Sequence, residues 1–213
     1  KTVVRSFGVP TPDFAVVSAP GDAGRVDLSF PLFAKPLAEG TGKGIDARSK
    51  VDSRPELIAV CAALLERFRQ PVLVETYLPG REFTVGITGS GAAAEVLGTM
   101  EVLLNDEAEA NAYSYVNKEQ YEERVDYALA SGPEAAACAD VALRAWRGLG
   151  CLDGGRVDVK MDGRGTVNFI EVNPLAGLNP THSDLPIICR LRGISYHELI
   201  ARIMASATGR LSR

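Results

Sequence analysis

Apolar positions recur along this chain with two different periods. Leu57, Cys61, Leu64, Leu65 and Phe68 fall every three or four residues, as do Cys138, Val141, Ala142, Ala145, Trp146 and Leu149. That spacing gathers each set on one face of an α-helix. A serine followed three residues on by a glutamate precedes each run, at Ser53/Glu56 and Ser131/Glu134, and Ser195/Glu198 repeats the signature. Such a pair can satisfy the free amides of a helix's first turn, so three helices are predicted. Residues 32–35, 72–77, 82–87, 94–103, 156–161 and 167–172 are rich in β-branched and aromatic residues and read as strands. Helices and strands interleave, which makes the fold class α/β or α+β. Pro79-Gly80 breaks the chain after Tyr77 and predicts a hinge between an N-side lobe, 1–79, and a larger C-side lobe, 80–213.

Composition narrows the function classes. The 213 residues are 46% hydrophobic and 23% charged, which argues against disorder and against a fibrous chain. A formal net charge of −4 provides no electrostatic footprint for nucleic acid or an anionic membrane, and no apolar run is long enough to span one. Neither is expected as a partner. Cys61, Cys138, Cys151 and Cys189 lack metal-site spacing, and two of them sit on apolar helix positions, so they read as reduced core thiols of a cytoplasmic protein.

Four segments could carry chemistry. Phe33-Ala34-Lys35-Pro36 ends a strand on a lysine, and the glycine-rich run Glu39-Gly40-Thr41-Gly42-Lys43-Gly44 follows. Glycines let backbone amides turn toward a bound phosphate, although the same composition also suits a surface loop. Residues 72–85 deliver Glu75 and Tyr77, followed by Glu82, around the predicted hinge, where they could cradle a base and a ribose; Tyr77 could equally be packing. Residues 156–161 and 167–173 form a predicted hairpin around Asp162-Gly163-Arg164-Gly165. Side chains alternate along strands, so pairing Met161 with Thr166 puts Arg156, Asp158, Glu171 and Asn173 on one face. A two-residue shift preserves that result and a one-residue slip destroys it. Val157, Val159, Met161, Ile170 and Val172 then form the apolar face, leaving Val167 and Phe169 on the polar one. Two carboxylates and an amide are hard oxygen donors suited to Mg²⁺, or else a solvated set of loose ion pairs. Last comes the loop from Asn173 through Gly177 and His182 to Ser183 and Asp184, in which Ser, His and Asp are too close in sequence to form a hydrolase triad.

In their order and spacing these segments resemble the ATP-grasp ligases, and most closely the D-alanine–D-alanine ligase family. The resemblance rests on Ala34-Lys35-Pro36 with Glu39-Gly40-Thr41, Leu73-Val74-Glu75 with Glu82-Phe83-Thr84-Val85, Tyr115 to Lys118, and Arg156-Val157-Asp158 with Glu171-Val172-Asn173. It implies the ATP-grasp fold, in which two α+β lobes hold ATP between them. It also implies phosphorylation of a carboxylate by ATP and attack of an amine on the acyl phosphate, as in peptidoglycan precursor synthesis. Lys35, Glu39, Gly40, Thr41 and Lys118 would then attend the phosphates, with Thr41 near the transferred group. Glu75, Tyr77 and Leu78 would hold the adenine, and Glu82 the ribose. Asp158, Glu171 and Asn173 would hold two Mg²⁺ ions, for which Mn²⁺ could substitute. Arg156 and the amide of Gly177 would form the oxyanion hole, and Ser183 would bind a substrate carboxylate. The implied partners are small amino acids, and a homodimer is compatible with the family.

Three departures from the family pattern bear on function. Gly42 stands where a second hydroxyl residue is usual, and Lys43 is added beside it. Asp184 stands where D-alanyl enzymes carry an apolar residue, which suggests an amine substrate with an extra donor. The family also has a domain before the region matching Lys1, so the chain is expected to be the ATP-grasp portion of a longer enzyme. The alternatives to D-alanyl-D-alanine synthesis are another amino-acid or peptide ligase of specialised metabolism, or a nucleotide-binding module without activity.

Overall fold

The computed structural model describes residues 1–40, 42–104 and 125–211. Its chain divides into two compact units, with one break between Pro79 and Gly80. An N-side unit contains Pro12–Pro79, and a C-side unit contains residues 1–11, 80–102 and 127–211. The first eleven residues, expected in the N-side lobe, therefore belong with the C-side one.

In the N-side unit, β1 (Phe14–Val17), β2 (Leu32–Pro36), β3 (Lys50–Val51) and β4 (Val72–Thr76) form an antiparallel sheet in the order β1-β4-β2-β3. Alternation sorts its faces. Leu32, Ala34, Val72 and Val74 are buried with Leu57, Cys61 and Leu64 of helix α2 (Arg54–Phe68). Phe33, Lys35 and Glu75 take the opposite parity.

The C-side unit begins with a short helix α1 (Thr2–Ser6) and is built on a five-stranded sheet. Its strands are β5 (Glu82–Thr88), β6 (Glu95–Leu104), β7 (Val125–Leu129), β8 (Gly154–Met161) and β9 (Val167–Asn173), in the order β7-β6-β5-β8-β9. Helix α3 (Gly132–Gly148) packs Cys138, Ala142, Ala145 and Trp146 against Phe83, Val85, Val157 and Val159. Two more helices, α4 (Asp184–Leu191) and α5 (Tyr196–Leu211), complete the unit. Gly86 and Gly98 pair across β5 and β6. A methyl group at Gly86 would lie 3.0 Å from Leu185, and one at Gly98 would lie 2.9 Å from Ile188, so this glycine row is what lets α4 lie against the sheet.

Each predicted serine does precede a helix, but only Ser195 makes the expected bond, its hydroxyl accepting from the Glu198 amide at 3.1 Å. The Ser53 and Ser131 side chains make no such bond. Glu56 instead accepts from the Asp52 amide at 2.9 Å, and Glu134 pairs with Arg81. Among the described residues no helix is long and apolar enough to cross a membrane.

All four cysteines are free and buried. Burial pushes the Cys61 and Cys189 thiols up to about 11 and Cys138 up to about 12. Because the thiolate is the reactive form, the native protein at pH 8 is expected to react slowly with a disulfide reagent such as DTNB. All four thiols should react promptly in denaturant; fast stoichiometric labelling of the native protein would contradict this packing.

Candidate active site

The hairpin of β8 and β9 turns through Asp162, whose amide donates to the Thr166 carbonyl at 2.9 Å. Its carboxylate accepts from the Arg164 and Thr166 amides at 2.8 and 2.9 Å. Met161 pairs with Val167 and Val159 with Phe169, one residue away from the expected register. Left uncorrected, that slip would turn Glu171 and Asn173 to the wrong face. A β-bulge between the 159/169 and 158/171 pairs leaves Ile170 as the extra residue. Asp158 therefore lies opposite Glu171, and Arg156 opposite Asn173. The observed register also corrects the expected faces: Val167 and Phe169 belong to the core with Val159 and Met161, whereas Ile170 is only half-buried.

Residues 1–11 hold the bulged strand. Lys1 Nζ donates to the carbonyls of Ile170 at 3.0 Å and Phe169 at 3.3 Å, and the Thr11 hydroxyl donates to Phe169 at 3.0 Å. The Phe169 amide donates to the Pro10 carbonyl at 2.8 Å. Since β9 is an edge strand, these bonds satisfy polar groups that the sheet leaves over, and they explain why the segment joins this unit.

Cross-strand rows then assemble the polar face. Glu82, Lys160 and Asn168 form one row; Thr84, Asp158 and Glu171 the next; Gly86, Arg156 and Asn173 the third. In the middle row the Thr84 hydroxyl donates to Asp158 Oδ1 at 3.0 Å. Asn173 Nδ2 lies 3.4 Å from Asp158 Oδ2 and 3.4 Å from Glu171 Oε1. Arg156 Nη1 contacts both Asp158 oxygens and lies 3.4 Å from Asp184 Oδ2. Burial works against the charged guanidinium, but Asp158, Asp184 and Glu171 outweigh it and hold Arg156 above arginine's ordinary range. Arg156 thus lies among the carboxylates of Asp158, Asp184 and Glu171. In the first row, Lys160 Nζ pairs with Glu82 Oε2 at 2.9 Å.

The donor chemistry of this face suits a divalent cation. Two carboxylates and an amide supply hard oxygens, and an amide can turn to present its oxygen. Among the described residues no group of three or more His, Cys, Asp or Glu side chains is placed to hold a metal by itself. Mg²⁺ usually takes one or two carboxylates together with substrate phosphates and water, and Asp158 and Glu171 are two such donors.

Further along, Gly177 and Ser183 are neighbours: a methyl at Gly177 would lie 2.6 Å from the Ser183 hydroxyl. That hydroxyl accepts from the Asn179 amide at 3.1 Å, folding residues 177–183 into a compact loop. Ser183 is the residue before α4 and Asp184 is its first residue.

In the N-side unit, buried Glu75 pairs with Lys35 at 2.9 Å. Phe33 and Tyr77 stack with centroids 6.4 Å apart, and Lys50 Nζ lies 5.3 Å from the Tyr77 ring centre. Leu78 is buried. Glu39 accepts from Gln70 Nε2 at 2.9 Å, and Gln70 Oε1 accepts from the Ala38 amide at 2.6 Å, which anchors the start of the glycine-rich loop. Gly44 has φ +80, and a methyl there would run into Pro36 and Phe68. Thr41, Lys118 and the Tyr115–Lys118 segment lie outside the described residues.

Sequence reasoning did not assign roles to Thr84, Lys160, Gln70 or the Gly86/Gly98 row. Thr84 and Lys160 were discoverable, since each shares strand parity with an assigned residue. Gln70 and the glycine row depend on tertiary neighbours.

The family model described as D-Ala D-Ala ligase C-terminus matches residues 3–205. This chain belongs to that family. The D-alanine–D-alanine ligase of Bordetella petrii is 34% identical over 211 residues, an alignment covering 97% of this chain and 62% of that protein. The chain thus spans less than two thirds of the ligase it matches. The D-Ala:D-Ser ligase VanG of Enterococcus faecalis superposes with a TM-score of 0.75 at 21% identity, covering 96% of this chain and 59% of that one. The Bacillus anthracis D-alanine–D-alanine ligase complexed with ATP gives 0.72 at 23% identity, covering 97% and 63%. The fold is ATP-grasp, as in these ligases.

Thr84→Val tests the centre of the polar rows. It keeps the side-chain shape and removes a donor from buried Asp158, so the expected loss is about 1–3 kcal/mol in denaturant unfolding. An unchanged midpoint would show that this bond contributes nothing.

Proposed function

We propose that the chain is the nucleotide-binding and ligating portion of an ATP-dependent ligase, which phosphorylates a carboxylate and joins it to an amine. The observation that supports this most is the convergence of Arg156, Asp158, Glu171 and Asn173 on one strand face, in a member of the D-Ala D-Ala ligase family. The substrates are small amino acids of the D-alanine class or close to it, and the setting is the cytoplasm. Related proteins are named for D-alanine with D-alanine or with D-serine, and one was solved with ATP, which supports both substrate classes.

No covalent protein nucleophile is needed for this chemistry. Catalysis rests on orientation and on placing charge where the reaction develops it. We assign Lys35, Lys118, Glu39, Gly40 and Thr41 to the phosphates, Glu75, Tyr77 and Leu78 to the adenine, and Glu82 to the ribose. Asp158, Glu171 and Asn173 would hold Mg²⁺, which when bound offsets the charge on the phosphoryl oxygens. Arg156 and the Gly177 amide stabilise the oxyanion of the tetrahedral intermediate; loss of one such donor typically costs about 10²- to 10³-fold in rate. Ser183 orients a substrate carboxylate.

Phosphate release from ATP with Mg²⁺, screened over D- and L-amino acids singly and in pairs on the full-length protein, tests this reading. Release stimulated by an amino acid or pair is expected. Glu171→Gln should abolish most of it and leave the thermal midpoint without nucleotide nearly unchanged. A collapse of stability instead would make Glu171 structural, and an amino-acid-independent rate in the wild type would remove the ligase assignment.

A further inference from the structure

Arg156 is pinned at one end. Each contact that it makes among the described residues passes through Nη1: both oxygens of Asp158 and one of Asp184. Nε and Nη2 are thereby left to bind something else. A guanidinium offers five donors in a rigid fork, so fixing one nitrogen sets the direction in which the remaining donors point.

Asp158 alone is a shared anchor. Its Oδ1 also accepts from Thr84 and its Oδ2 lies near the Asn173 amide, so its charge is divided among several partners. Asp184 approaches from a different element. It is the first residue of α4, where a carboxylate is favoured by the helix dipole, and α4 is held against the sheet over Gly86 and Gly98. Gly86 is directly opposite Arg156. The same glycine row that admits the helix therefore brings its first carboxylate to the arginine.

We propose that Asp184 is a positioning residue for Arg156, the second of two carboxylates on separate elements that clamp Nη1 and aim Nε and Nη2 at the oxyanion of the reaction. This rests on the ligase reading given above. It assigns the charge of Asp184 to the arginine rather than to the amine substrate.

The test uses Asp184→Asn and Asp184→Glu in the full-length protein, with unfolding midpoints to confirm that both fold. Modification of Arg156 by phenylglyoxal, followed by peptide mass spectrometry, reads the clamp without requiring turnover. Asp184→Asn is expected to label Arg156 several-fold faster than the wild type, with Arg48 and Arg192 unchanged as controls. Its kcat should fall about 10- to 100-fold, the scale of a misplaced catalytic group, while KM for ATP stays within about twofold. Asp184→Glu should recover part of the protection and part of kcat. Unchanged labelling and kcat in Asp184→Asn overturns the proposal. A changed amine preference at an intact kcat also overturns it, placing Asp184 against the substrate. Faster labelling with an intact kcat reduces the contact to a structural ion pair. A wild type that releases no phosphate with any amino acid overturns the ligase reading, and the positioning role with it, while the labelling result still reports the contact.

Discussion

One extra residue, Ile170, sets the geometry of the C-side unit. Without the bulge, the register fixed by the Asp162 turn would keep Phe169 in the core, send Glu171 and Asn173 there with it, and set Ile170 and Val172 opposite Asp158 and Arg156. With it, a single strand serves two opposite purposes: Val167 and Phe169 fill the core beneath α3, and two residues on, the strand presents acid and amide to Asp158 and Arg156. As the edge of the sheet, β9 leaves backbone groups that need partners, and residues 1–11 satisfy them through Lys1, Pro10 and Thr11. That segment therefore belongs to the C-side unit and holds the strand that carries the bulge.

The second constraint is charge. Gathering Asp158, Glu171 and Asp184 around Arg156 brings like charges together, and carboxylates removed from water need partners. Their hard oxygens are of the donor type that a divalent cation takes. Backbone packing keeps them together. Gly155 lies so close to the Asn173 carbonyl that a methyl group there would stand 2.4 Å away, and Gly86 and Gly98 admit α4. The N-side unit uses a milder version of the same design, setting buried Glu75 against Lys35 beside the stacked Phe33 and Tyr77.

Much of this was legible in the sequence. Helical periodicity located α2 and α3 because their stripes are long and regular, and the six strands read from composition all exist within one or two residues. The polar quartet was legible because both strands carry a simple alternation near their open end. The bulge was not, yet its signal is present: Phe169-Ile170 puts two apolar residues side by side where alternation would continue. Weak or short elements escaped notice, among them β3, with two residues, and α4, whose apolar run follows a loop of prolines and glycines. The capping serines show the limit of local rules. Tertiary partners redirected Glu134 to Arg81, and the helix start was kept by backbone and packing alone. Which way Asp184 points depended on a glycine row about a hundred residues earlier, beyond the reach of any local pattern.

The central claim is that the bulged hairpin forms an acidic site completed by a cation and a nucleotide together. Calorimetric titration of ATP into the protein, with Mg²⁺ and again with EDTA in its place, tests this most directly. Clear saturable binding with Mg²⁺ and a large loss of affinity in EDTA is the predicted result. Equal affinity under both conditions would contradict the account, because ATP would then be bound without the carboxylates that the bulge brings together.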